Sequence, residues 1–178
     1  MRVDLRARWF LALGWLFLIY ASLPFVRPLA TFLRERNLLR LTFALVFFIF
    51  ALPAFRRMYE RRRYMDLSLV LYSIVMVLAY SIAILNIPLP EERFHFIQYG
   101  VLVYLVFQAL RAQINAPSAY ALAFLLTSLA GWGDEGIQHI LPDRYYELKD
   151  VWLNCLGALL GLGVTFIGEK LNTLTRPK

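Results

Sequence analysis

Residues 131–161 read GWGDEGIQHILPDRYYELKDVWLNCLGALLG, and the reading of this stretch decides the fold. Its two arms are apolar and rich in glycine. Its centre holds Asp134, Glu135, Gln138, Pro142, Arg144, Asp150 and Asn154. Proline removes a helical hydrogen bond and stops the helix before it. A polar, proline-broken centre between two apolar arms predicts two helices that turn at a membrane boundary. Ionisable groups there are costly unless they pair or bind something, so this run is where function is expected.

Working outward, six apolar blocks can be read, at about 9–26, 38–55, 67–87, 94–110, 117–139 and 151–168. Each is close to the roughly 17–25 residues that span a bilayer. The chain has 178 residues, 60% of them hydrophobic, where a soluble domain holds roughly 45–50%. The expected fold is all-α, a polytopic transmembrane helix bundle of about six spans. The second block is the weakest, because Arg40 lies inside it and Pro53 near its end. Either Arg40 snorkels to the interface or that segment lies in the interface. The first block follows Arg2, Arg6 and Arg8 as a signal peptide would. It is longer than a signal core and lacks a clear small-x-small cleavage site, which predicts an uncleaved span.

The net charge is +7. Topology explains it better than a nucleic-acid partner does, and no nucleic acid is expected. With the N-terminus inside, twelve Lys and Arg fall on the inner side and seven on the outer. Arg56, Arg57, Arg61, Arg62 and Arg63 make the strongest inner cluster. This bias places both termini in the cytoplasm. The single cysteine, Cys155, excludes an intramolecular disulfide.

Depth is the next inference. In a fourth span starting near Phe94, residues Glu92, His95 and Tyr99 share one helix face near the outer surface. The fifth span starts at Pro117, and Asp134 lies 17 residues on, roughly 26 Å at 1.5 Å per residue. That also reaches the outer surface, with Gln138 on the face of Asp134 and His139 on that of Glu135. The sixth span returns with Asp150, Asn154, Gly157 and Gly161 in one polar and small stripe. Gly157-xxx-Gly161 is a helix-packing motif. The prediction is one cluster at the outer membrane face: His95, Tyr99, Asp134, Glu135, Gln138, Arg144, Asp150 and Asn154.

These residues resemble the VanZ-like family of integral membrane proteins. The matching pieces are His95-Phe96-x-x-Tyr99, Asp134-Glu135-x-x-Gln138, Pro142-x-Arg144 and Asp150-x-x-x-Asn154-x-x-Gly157-x-x-x-Gly161. Where members often carry Lys before the His, this chain has Arg93. The resemblance divides the chain into a two-span extension (1–66), a VanZ-like core (67–168) and a cytoplasmic tail (169–178). It implies a bacterial inner-membrane protein of the cell envelope. The family's namesake is associated with low-level resistance to teicoplanin, an antibiotic that binds cell-wall precursors outside the membrane.

Three readings of the cluster stay open. It can bind the headgroup of an envelope lipid or polyprenyl-linked precursor, with Arg144 and Arg93 matching a phosphate and the acids receiving donors. It can do acid–base chemistry through paired carboxylates and His95, although no nucleophile motif accompanies them. Or its groups only satisfy each other and fix packing, leaving an accessory subunit that serves other membrane proteins. His95, Glu135, His139 and Asp150 have metal-ligand chemistry, but no metal or cofactor is expected.

Overall fold

The computed structural model describes residues 4–141 and 146–174. Six helices alternate in direction: α1 (Leu5–Glu35), α2 (Leu39–Glu60), α3 (Leu67–Leu85), α4 (Phe94–Arg111), α5 (Ala116–Ile140) and α6 (Leu148–Leu174). A single 3-10 turn, Arg62–Tyr64, links α2 to α3. No strand occurs among the described residues.

Local chemistry sets the helix ends. The Asp66 carboxylate accepts the Leu69 N–H at 2.8 Å, and the Asn115 side chain accepts that of Ser118 at 3.0 Å. Each satisfies a donor that the first helical turn leaves unpaired. The turn after α1 places Asn37 at φ 56°. There Leu38 N–H bonds to Leu33 O and Asn37 N–H to Arg34 O. This is a Schellman stop, and asparagine tolerates its left-handed position better than most residues. Arg40 sits in the first turn of α2 and is exposed. It therefore marks the end of that helix and does not interrupt it.

Helices α1, α2, α3 and α6 are each long and apolar enough to cross a membrane. Helices α4 and α5 carry the polar groups of the predicted cluster, and these dilute their apolar character. Helix α4 lies inside the bundle, and α5 turns one face to it while exposing Leu125, Leu129 and Trp132 on the other. Tyr99, Val103, Phe107 and Ala109 of α4 and Ala119, Ala123 and Thr127 of α5 are fully buried. The outer faces of α1, α2 and α3 instead expose large apolar side chains such as Phe17, Phe48 and Val75. A polar interior sheathed in exposed hydrocarbon suits a solvent of lipid. The chain is a multi-pass helical membrane protein.

Close backbone approach joins α4 to α6. A Cβ added at Gly161 would lie 2.7 Å from Gly100 Cα and 2.8 Å from Val103 Cγ1. One added at Gly157 would lie 3.1 Å from His95 O. The small-residue stripe of α6 therefore faces α4, and its absent side chains let the two backbones meet. Helix α1 crosses the same core with its side chains hydrogen-bonded to main-chain carbonyls. Arg8 Nη1 reaches Gln108 O (2.8 Å), Trp15 Nε1 reaches Gln98 O (2.9 Å), and Tyr20 Oη reaches Ala130 O (2.7 Å). The start of α1 thus lies beside the end of α4. At that end of the bundle, Arg57 of α2 and Arg61 just after it also bond to Asn172 of α6. The start of α1 and the end of α6 share this basic end, and the end of α5 and the start of α6 lie at the other.

Candidate functional site

At the hairpin end, α4, α5 and α6 bring most of the predicted polar residues together. Asp134 and Glu135 are each only 1% exposed, Gln138 4%, and Tyr99 and Asn154 fully buried. Tyr99 Oη donates to Asp134 Oδ2 at 2.8 Å. The Gln138 amide donates to Asp134 Oδ1 at 3.3 Å and to Glu135 Oε1 at 3.0 Å. The other Glu135 oxygen, Oε2, accepts the backbone N–H of Glu147 at 3.1 Å. One amide thus bridges two adjacent buried carboxylates, and each carboxylate gains a second donor from another part of the bundle.

Helical spacing explains why one side chain serves both acids. Gln138 lies four residues after Asp134 and three after Glu135, and both offsets are neighbours on a helix surface. Tyr99 reaches Asp134 because the α4–α6 crossing holds α4 deep in the bundle. Close approach also governs α5 and α6. A Cβ on Gly131 would lie 2.6 Å from the Cβ of Asn154, so only glycine leaves room for that side chain. Asn154 Nδ2 in turn donates to Gly131 O at 3.1 Å.

His95 and Asp150 form the more accessible side of the cluster, with side chains 14% and 16% exposed. His95 Nε2 lies 3.9 Å from Asp150 Oδ2. The His95 ring stacks against that of Tyr99, with centroids 6.3 Å apart. A path therefore runs from the partly open His95–Asp150 pair to the closed Tyr99–Asp134 pair. Arg144 and Pro142 lie outside the described residues. His139 is exposed at the end of α5, on the outside of the bundle. Gly157 and Gly161 pack against α4 and take no part in the polar network.

Sequence reasoning missed several contributors. Lys149 Nζ bonds to Glu92 Oε2 at 2.6 Å, tying the start of α6 to the start of α4. Their separation of 57 residues gives no local signal. Tyr20 of α1 anchors the α5 segment just before the acids, and neither of its neighbours in sequence is polar. Arg93 Nε and Nη2 both donate to the Ile87 carbonyl, at 3.0 and 2.7 Å. That fork closes the α3–α4 loop, so the edge suited to a phosphate is already engaged.

The described part of the cluster is rich in acceptors. Asp134, Glu135 and Asp150 converge there, the Glu147 N–H is given to Glu135, and Lys149 is held by Glu92. Such a site suits groups that bring hydrogen-bond donors, namely hydroxyls or an ammonium. Among the described residues, no three His, Cys, Asp or Glu side chains are grouped to hold a metal ion.

No curated protein and no solved structure matches this chain. A family model does: that of VanZ/LLP1 matches residues 8–169, from the first turn of α1 almost to the end of α6. The match includes the helices that build the polar cluster and the two that precede the motifs, and this multi-pass membrane protein belongs to the VanZ/LLP1 family.

Proposed function

We propose that this protein binds the headgroup of an envelope lipid or lipid-linked cell-wall precursor at the hairpin end of its bundle. In this reading both termini face the cytoplasm of a bacterial inner membrane, and the cluster faces outward. One observation carries it: two adjacent carboxylates, Asp134 and Glu135, are almost wholly buried at the hairpin end of the bundle. Burial of such groups costs several kcal/mol per ion relative to apolar packing. Intramembrane ionisable groups that persist despite that cost commonly mark a ligand path. His95 and Asp150 form the entrance, and the Tyr99–Asp134 and Gln138–Glu135 pairs hold the acceptors in place behind it. Arg144, which the sequence places in the hairpin, supplies the cation for a phosphate.

The test is to express Asp134→Asn, Glu135→Gln and Arg144→Ala singly and score susceptibility to a glycopeptide antibiotic alongside membrane abundance. The expected outcome is loss of the protein-dependent shift in susceptibility at normal abundance. Unchanged susceptibility in all three, at normal abundance, refutes the reading.

A second reading, an accessory subunit, is favoured by α2. That helix buries only Leu39 and Phe43 and leaves most of its apolar surface uncovered. Stoichiometric co-purification with another membrane protein, lost on placing charge at Phe48, would select it.

A further inference from the structure

The basic end of the bundle carries more cations than its acids can pair. Among the described residues it holds nine Lys and Arg against four Asp and Glu, whereas the hairpin end holds six against seven. Each of those four acids is already engaged. Glu60 pairs with Arg56 Nε at 2.7 Å and Glu169 with Arg111 Nε at 3.9 Å. Asp66 accepts the Leu69 N–H, and Asp4 that of Arg6.

Three arginines there have no carboxylate partner among the described residues: Arg57 in the last turn of α2, and Arg62 and Arg63 in the 3-10 turn that follows. Arg57 bonds instead to the neutral side-chain oxygen of Asn172, which Arg61 Nη1 shares at 3.0 Å. Two guanidinium groups thus converge on one uncharged acceptor. Arg62 and Arg63 are exposed and lie over tyrosine rings, 4.1 Å from the Tyr59 centroid and 4.8 Å from that of Tyr64. Arg62 spends one donor on Tyr59 O, at 2.7 Å. A guanidinium stacked by its face is held in orientation and keeps edge donors for an anion.

These cations border hydrocarbon. Phe55 and Tyr59 lie one helical turn apart on α2, and Leu67 opens α3; all three are more than half exposed. Tyrosine and arginine at the edge of an apolar face match the headgroup level of a bilayer.

We propose that this patch, built by Arg57, Arg62 and Arg63 with Tyr59 and Tyr64, binds the phosphate of a phospholipid of net negative charge. The guanidinium fork fits a phosphate, and a cluster of arginines beside the membrane attracts anionic lipid. The exposed apolar side chains that continue from the patch give the acyl chains of that lipid their contact, which a free anion would leave unused. This site lies at the opposite end of the bundle from the polar cluster and does not depend on the reading of that cluster.

The test titrates the full-length protein in neutral detergent with phosphatidylglycerol or phosphatidylcholine of matched chains and counts bound lipid by native mass spectrometry. Phosphatidylglycerol is expected to bind roughly tenfold more tightly, as two exposed arginines near the headgroups allow. Joint Arg62→Gln and Arg63→Gln substitution removes most of that preference. Joint Arg36→Gln and Arg40→Gln substitution takes the same charge from exposed sites at the hairpin end and leaves the preference intact. Asn172→Asp, which gives Arg57 a carboxylate, lowers the preference without removing a cation. Equal binding of the two lipids by the unaltered protein overturns the proposal. An equal loss from the two double variants also overturns it, because net charge would then be the cause. So does displacement of bound phosphatidylglycerol by millimolar glycerol phosphate, which would make the ligand a free anion.

Discussion

At the scale of single residues, burial decides which polar contacts matter. Tyr99 and Asp134 are enclosed, and their 2.8 Å hydrogen bond satisfies a carboxylate that water does not reach. Tyr99→Phe removes that donor and is expected to destabilise the protein by about 1–3 kcal/mol. A lowered melting temperature in detergent measures it, and an unchanged one would show that Asp134 finds a replacement donor. The Lys149–Glu92 pair is shorter, at 2.6 Å, yet half of the Lys149 side chain is exposed. Solvent screens the lysine end alone, since the Glu92 side chain is 10% exposed, so Lys149→Met is expected to lower the melting temperature less than Tyr99→Phe does. Comparing the two variants in one melting assay separates distance from burial as the source of stability. The sequence already distinguished these positions in part, since His95, Tyr99, Asp134 and Gln138 follow helical spacing. It did not show that Gln138 bridges two acids, because that depends on the side-chain geometry of adjacent helix turns.

Among the helices, the decisive feature is how closely their backbones meet. Gly161 has no room for a Cβ beside Gly100 and Val103. Gly161→Ala is expected to cost about 1–3 kcal/mol, as overpacking of a well-filled contact does. Gly168, where an added Cβ meets nothing within 4 Å, is the control: Gly168→Ala leaves the melting temperature unchanged or raises it, since alanine favours a helix. Equal effects at the two sites would mean that the α4–α6 crossing is looser than drawn. The Gly157-xxx-Gly161 spacing announces such a contact, but its partner helix is not encoded nearby. Gly100 stands alone in α4, and nothing local marks it as the opposing surface. Gly131 likewise gains its meaning only from Asn154, 23 residues away.

For the whole molecule, the ladder of charges predicts an orientation that reporter fusions can test. The alternation of six helices puts the start of α1 and the end of α6 at the basic end, and the end of α5 with the start of α6 at the opposite one. A reporter active only in the cytoplasm is expected to work when fused after Lys178 and to fail when inserted after Asp143. A reporter active only outside gives the reverse. Activity of the cytoplasmic reporter in the hairpin would turn the cluster inward and remove its access to outer-leaflet lipids. This orientation bears on partners as well, because α1 is fastened to α4 and α5 by Arg8, Trp15 and Tyr20. The uncovered apolar surface of α2 and α3 then faces the surrounding bilayer.

The amino-acid order alone determined the number of helices and the placement of polar residues on shared faces, but not every bound: α1 runs on from the expected end near residue 26 to Glu35, through Pro24 and Pro28. The number and the shared faces follow from the length of apolar runs and the period of 3.6 residues, both properties of neighbours along the chain. Only the tertiary structure decided which helices occupy the centre: α4 and α6 meet there because Gly157 and Gly161 let their backbones approach, while α5 buries only the face that carries Asp134, Glu135 and Gln138. It also decided that α1 belongs to the same core, through bonds from side chains to distant carbonyls. And it joined Glu92 to Lys149, since contacts across long loops depend on helix crossings that no local pattern specifies.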